Sequence, residues 1–155
     1  MVDEKMLVIG LGNPILGDDR VGWVVVENVQ ERLGKNGVDY AFLSVGGIRL
    51  MEHMAGYDRV IIVDAIITEG GKPGEIHSFP LAELPDPTGG HTTSVHDTSL
   101  MTALEMGRMM DVYIPEDVHV IGIEAHRVYD FAEELTPDVA SAVNEAVDKV
   151  CALIK

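Results

Sequence analysis

Two adjacent acids, one isolated acid and one histidine stand where this chain changes direction. Asp18 and Asp19 follow an apolar run at the mouth of a helix-like stretch. Asp64 closes a second apolar run, and His96 lies in the first turn of another helix-like stretch. In a mostly parallel sheet, residues leaving the carboxyl ends of strands converge on the crevice where ligands bind. Two carboxylates and one imidazole form a donor set for a divalent ion such as Zn2+ or Ni2+. Each residue also has an ordinary reading. Asp18 or Asp19 would cap a helix, Asp64 would be solvated or cap a turn, and His96 would accept a backbone hydrogen bond.

The segment Gly10-Leu11-Gly12-Asn13-Pro14 invites comparison with a dinucleotide-binding loop. The third glycine of that fingerprint is replaced by Ile15, Pro14 removes an amide donor, and Asp18-Asp19 place negative charge where phosphate would sit. The glycines therefore read as a tight exit from the first strand. No Gly-x-Ser-x-Gly elbow, Walker loop or His-Glu-x-x-His is present.

The elements that must position these residues alternate between short apolar runs and amphipathic stretches, which predicts a layered α/β domain. Strands are expected at Met6–Gly10, Ala41–Val45, Arg59–Asp64 and Val118–Ile123, with an edge strand at Glu75–Phe79. Val21, Val25, Val29 and Leu33 stripe a first helix, and Ile48–Met54 reads as a short one. Pro80 to Gly90 reads as a loop. Ser94 and Asp97 have capping-box spacing at the start of a helix ending near Met110. Thr136 and Pro137 read as N-cap and first residue of the last helix, striped by Val139, Val143, Val147 and Val150. Cys151 in that stripe reads as an inert core thiol. Met101, Met106, Met109 and Met110 read as core or partner-surface filler. His119 and His126 flank the last strand with no obvious chemical partner.

The 155 residues suit one domain, 1–155, without repeats or linkers. Apolar residues at 46% and charged residues at 24% exclude a disordered chain. The first residues, acidic and leading straight into a strand, do not read as a signal peptide. A single cysteine fits a reducing, cytoplasmic setting. Twenty-six acids against eleven bases give a net charge of −15, which repels phosphate backbones and anionic lipid.

Gly10 to Gly22, with Gly17-Asp18-Asp19-Arg20 at its end, forms one motif. Val63-Asp64-Ala65, followed by Gly70-Gly71 and Pro73-Gly74-Glu75, forms a second, and Ser94-Val95-His96 a third. Ile121-Gly122-Ile123-Glu124 and Leu135-Thr136-Pro137-Asp138-Val139 close the series. In this order the chain resembles the hydrogenase maturation endopeptidases, which remove a C-terminal extension from a nickel–iron hydrogenase large-subunit precursor. The resemblance implies a three-layer, phosphorylase/hydrolase-like fold: a twisted, mostly parallel mixed sheet of about five strands with helices on both faces. It carries the metal-contacting and catalytic roles onto Asp19, Asp64 and His96. It also implies that the nickel is carried by the precursor, the enzyme's partner, and that the resting enzyme is metal-free. Two positions depart from the family pattern. Arg20 stands where glycine is common and would add a cation beside a metal ligand, and Val45 stands where many members have Asp.

A metal held by Asp19, Asp64 and His96 would keep positions open for substrate or water and could promote amide hydrolysis. An aspartic dyad of Asp19 and Asp64 would leave His96 without a role. Two rival functions share these features. Peptidyl-tRNA hydrolases open with the same Gly-Leu-Gly-Asn-Pro. They need a histidine soon afterwards, however, and this chain has none between Asn13 and His53. A non-catalytic metal- or peptide-binding maturation chaperone would use the same cleft.

Overall fold

The apolar run Met6–Leu11 forms strand β1, and all six of its residues are buried. A strand without a polar face needs cover on both sides, and the rest of the chain supplies it. The computed structural model describes residues 4–83, 95–126 and 131–155. After β1, a 3-10 turn at Gly17–Arg20 leads into helix α1 (Val21–Leu33). Then come β2 (Val38–Leu43), α2 (Gly47–Met54), β3 (Arg59–Ile66) and β4 (Ile76–Pro80). Helix α3 (Val95–Met109), β5 (Asp117–Glu124) and α4 (Pro137–Ile154) complete the order. The strands form one sheet, β2-β1-β3-β5-β4, parallel throughout except for β4, which runs antiparallel on the edge.

Two apolar layers sandwich this sheet. Val8, Ile61, Val63, Ile121 and Ile123 face α1 and α4, with Val25, Val29, Val143 and Val147 among the buried helix residues. Leu7, Ile9, Val60, Ile62 and Val120 face α2 and α3, against Leu50, Met54, Leu100 and Leu104. Cys151 is buried in the first layer, as its place in the α4 stripe predicts. The five-strand mixed sheet with helices on both faces matches the expected architecture. Among the described residues, no helix is long and apolar enough to cross a membrane.

Several boundaries differ from the sequence expectation, each for a tertiary reason. Strand β2 begins at Val38, opposite Met6, and ends at Leu43, opposite Leu11, so it sits earlier than Ala41–Val45. Val45 lies beyond the ladder and packs on the α2/α3 layer. Strand β3 runs past Asp64 to Ile66 because β5 keeps pairing as far as Glu124. Met106, Met109 and Met110 are exposed, so the core reading of that run does not hold for them. Ser94 and the second half of the Pro80–Gly90 loop lie outside the described residues.

Candidate functional site

Glycines bring the first two acids to the sheet. At Gly22, in the first turn of α1, an added Cβ would sit 2.2 Å from the Val63 carbonyl oxygen and 2.7 Å from that of Leu11. The helix start therefore lies directly on the carboxyl ends of β1 and β3. Gly12 has φ of +143°, and a Cβ there would meet the Asp19 carbonyl oxygen at 2.0 Å. The chain thus leaves β1, makes a short excursion and folds back on its own exit. Within the excursion the Asn13 side chain accepts from the Ile15 amide, and the 3-10 turn packs against β3.

Asp19 points back into this loop, where its Oδ2 accepts the Asn13 amide at 2.8 Å. It is half-buried. Asp64 is buried inside β3, opposite Gly122 of β5. Side chains alternate along a strand, so Asp64 shares the face of Val60 and Ile62, the face that α2 and α3 cover. His96 falls in the first turn of α3, while its side chain lies outside the described residues. Asp19, in the turn after β1, and Asp64, in β3, thus both stand toward the carboxyl ends of adjacent parallel strands.

Asp18 does something the sequence reading missed. Neither Asp18 nor Asp19 caps a helix: the residue before α1 is Arg20, and no side-chain cap bond forms there or at the 3-10 turn. Asp18 is buried and accepts the Thr136 amide at 2.7 Å, the Thr136 hydroxyl, and the His126 amide at 3.2 Å. Thr136 keeps its place as N-cap of α4, but its hydroxyl serves Asp18 rather than the helix. Around this bond the loop is stitched to the stretch before α4. Leu16 bridges Ala132 in parallel, with Gly17 donating to Ala132 and Ala132 to Ile15. The Arg20 guanidinium donates to the Glu133 carbonyl at 2.8 Å, so this departure from the family pattern serves as a tether. On the other side, the Gly12 amide and the Trp23 indole N–H both donate to the Leu43 carbonyl of β2.

In and just after the last strand stand three further titratable side chains, of which the sequence reading left His119 and His126 without partners. His119 lies within β5 and its Nε2 meets Ser78 Oγ at 2.7 Å. Its pKa is lowered, chiefly by burial, against the opposing pull of Asp117. His126 lies 3.5 Å from Asp138. Glu124, a third buried acid, accepts the Thr68 amide and hydroxyl at 2.8 and 2.6 Å and holds the turn that follows β3. An acid directly after the apolar run at residues 120–123 was the available signal for it.

Fold and site together define a three-layer α/β protein with two carboxylates, Asp19 and Asp64, toward the carboxyl ends of β1 and β3. The family model described as HycI, hydrogenase maturation protease, matches residues 24–153. That span includes Asp64 and His96 and begins just after Asp19. The hydrogenase 2 maturation protease of Escherichia coli (strain K12) is 26% identical over 152 residues, 97% of this chain and 91% of that protein. The hydrogenase expression/formation protein HupD of Bradyrhizobium diazoefficiens is 26% identical, across 98% of this chain and 79% of its own length. Among solved structures, the hydrogenase maturating endopeptidase HybD from E. coli superposes with a TM-score of 0.80 at 26% identity, covering 97% and 91% of the two chains. The NiFe hydrogenase maturation protease HybD from Thermococcus kodakarensis gives 0.74 at 28% identity, covering 97% and 99%. This chain belongs to the hydrogenase maturation protease family.

Proposed function

We propose that this protein is the endopeptidase that removes the C-terminal extension of a nickel–iron hydrogenase large-subunit precursor once nickel has been inserted. The observation that carries the reading is Asp64, buried inside β3 on the face that α3 covers, beside the turn that presents Asp19. A carboxylate taken out of water in a central strand is costly to keep, and a position at the crevice gives it a use. Asp19, Asp64 and His96 supply two oxygens and one nitrogen, a set that suits a borderline divalent ion and leaves positions for substrate ligands. A bound ion of this kind polarises a carbonyl and acidifies water. The protein's own part is to fix the acids. The Asn13 amide orients Asp19, and the β-ladder fixes the backbone of Asp64.

Without a thiolate the set is a weak resting site. Nickel is then cargo of the precursor, whose own ligands complete the coordination, and its presence marks the substrate as ready. That places specificity in the joint geometry of enzyme and substrate. The test uses nickel-free and nickel-loaded precursor, each with and without a chelator in the enzyme stock. Trimming of the nickel-loaded precursor alone is expected, and equal trimming of the nickel-free precursor would overturn the gating. Loss of activity on chelating the enzyme alone, restored by Zn2+, would reassign the chain as a conventional metalloprotease. His96→Ala should abolish trimming with little change in the unfolding midpoint, since a residue of an open site makes few packing contacts.

A further inference from the structure

We propose that Glu75, His77 and Glu124 form a second divalent-metal site, for a transition ion such as Zn2+, at the antiparallel edge of the sheet. His77 Nε2 lies 3.2 Å from Glu124 Oε1 and 3.9 Å from Glu75 Oε2, and one ligand atom from each residue lies within 4.8 Å of the others. Ligands about 2.0–2.2 Å from a tetrahedral ion stand about 3.3–3.6 Å from one another. The His77–Glu124 spacing is thus already close to that of coordinated neighbours. Glu75 is exposed and has only to swing inward.

Charge supplies an independent reason. The Glu124 amide donates to the Glu75 carbonyl, and the Gly74 amide to the Glu124 carbonyl. Gly74, with φ of +94°, and Glu75 thus face Glu124 together in a bulge where the β4–β5 ladder ends, which sets Glu75 across from Glu124. Like charges in that relation repel, and Glu124 is buried. Among the described residues no lysine or arginine pairs with Glu124, and its one ion-pair partner is His77. A divalent ion between His77 Nε2 and the two carboxylates would neutralise both acids, and the imidazole selects a transition metal over Ca2+ or Mg2+. The Thr68 amide and hydroxyl already orient the Glu124 carboxylate, as outer-sphere partners do in built metal sites. At Gly71 a Cβ would come within 2.1 Å of Glu124 Oε1, so the backbone there is shaped around this carboxylate.

The site is separate from the Asp64 crevice, although both open on the same face. Asp64 pairs with Gly122, which pairs with His77, and the Ile66 side chain lies across the bare Gly122 between them. An ion here would clamp β4, β5 and the turn after β3, and so act structurally.

Calorimetric titration of the metal-stripped full chain with Zn2+ tests this, alongside thermal melts with and without Zn2+. Wild type should bind an equivalent that Glu75→Gln and His77→Ala each weaken by about tenfold or more. Asp64→Asn should leave that equivalent in place. Zn2+ should raise the melting temperature of wild type and of Asp64→Asn, and much less that of Glu75→Gln. If His77→Ala fails to fold, the exposed Glu75→Gln position decides the question. Wild type that binds no Zn2+, variants that titrate like wild type, or an equivalent lost only with Asp64→Asn would each overturn the proposal.

Discussion

Asp18 joins residues 118 positions apart through a single carboxylate. Asp18→Ala would leave the Thr136 and His126 amides without their acceptor, at about 1–3 kcal/mol for each buried donor. A clear fall in the urea midpoint is expected. Asp18→Asn keeps one carbonyl oxygen and should lose less, so an Asn variant as unstable as Ala would refute the hydrogen-bond account. His119 gives a pH prediction. Burial holds its pKa below the ordinary value, against Asp117, with Arg59 reinforcing burial. The unfolded chain therefore takes up the proton more readily than the folded one. The stabilising share of His119 is complete above its unfolded pKa of about 6.5 and is lost as pH falls through the lower folded value. Between about pH 7.5 and pH 5, His119→Gln should lose less stability than wild type in parallel urea titrations. Residue identities were only half legible in the sequence. Acids at an element's mouth look alike, and whether one caps, ligates or braces depends on partners far along the chain. Asp18 and Asp19 could be separated only once Thr136 and Asn13 were located in space.

Element boundaries obey nearest-neighbour patterns until another element intervenes. The α1 and α4 stripes and the β1 run were legible because periodicity alone decides which face is buried. The limits of β2 were not, because they are set by hydrogen bonding to Met6 and Leu11 on β1, and a period-2 pattern carries no register. Gly22 shows how tightly two elements meet. Gly22→Ala must push α1 off the Val63 and Leu11 carbonyls, since backbone oxygens have no rotamer to escape into. Overpacking of this kind costs about 1–3 kcal/mol, more than the gain in helix propensity of about 1 kcal/mol. The variant should unfold at lower urea and lose activity in the native state as Asp19 shifts. Unchanged stability would mean that the helix rides higher on the sheet than described.

Across the whole molecule, the excess of acids sets the response to salt. A net charge of −15 on 155 residues repels itself in the compact state, and added ions screen that repulsion. Screening also weakens ion pairs such as Arg32–Asp148, but this pair is solvent-exposed on both sides and such pairs contribute little. Relief of repulsion should win. The melting temperature is expected to rise between about 20 and 500 mM NaCl, and a fall would show that specific pairs outweigh the general field.

The stitch between Leu16 and Ala132 bears on how the protein is born. The loop that presents Asp19 is written early in the chain, yet its braces, Ala132, Glu133 and Thr136, are translated more than a hundred residues later. A nascent chain halted before residue 126 holds Asp19 and Asp64 but lacks every hydrogen-bond partner of the Asp18 carboxylate. The loop that carries Asp19 thus gains its braces only after the chain has been made past Thr136, and any shorter nascent chain holds that loop unbraced.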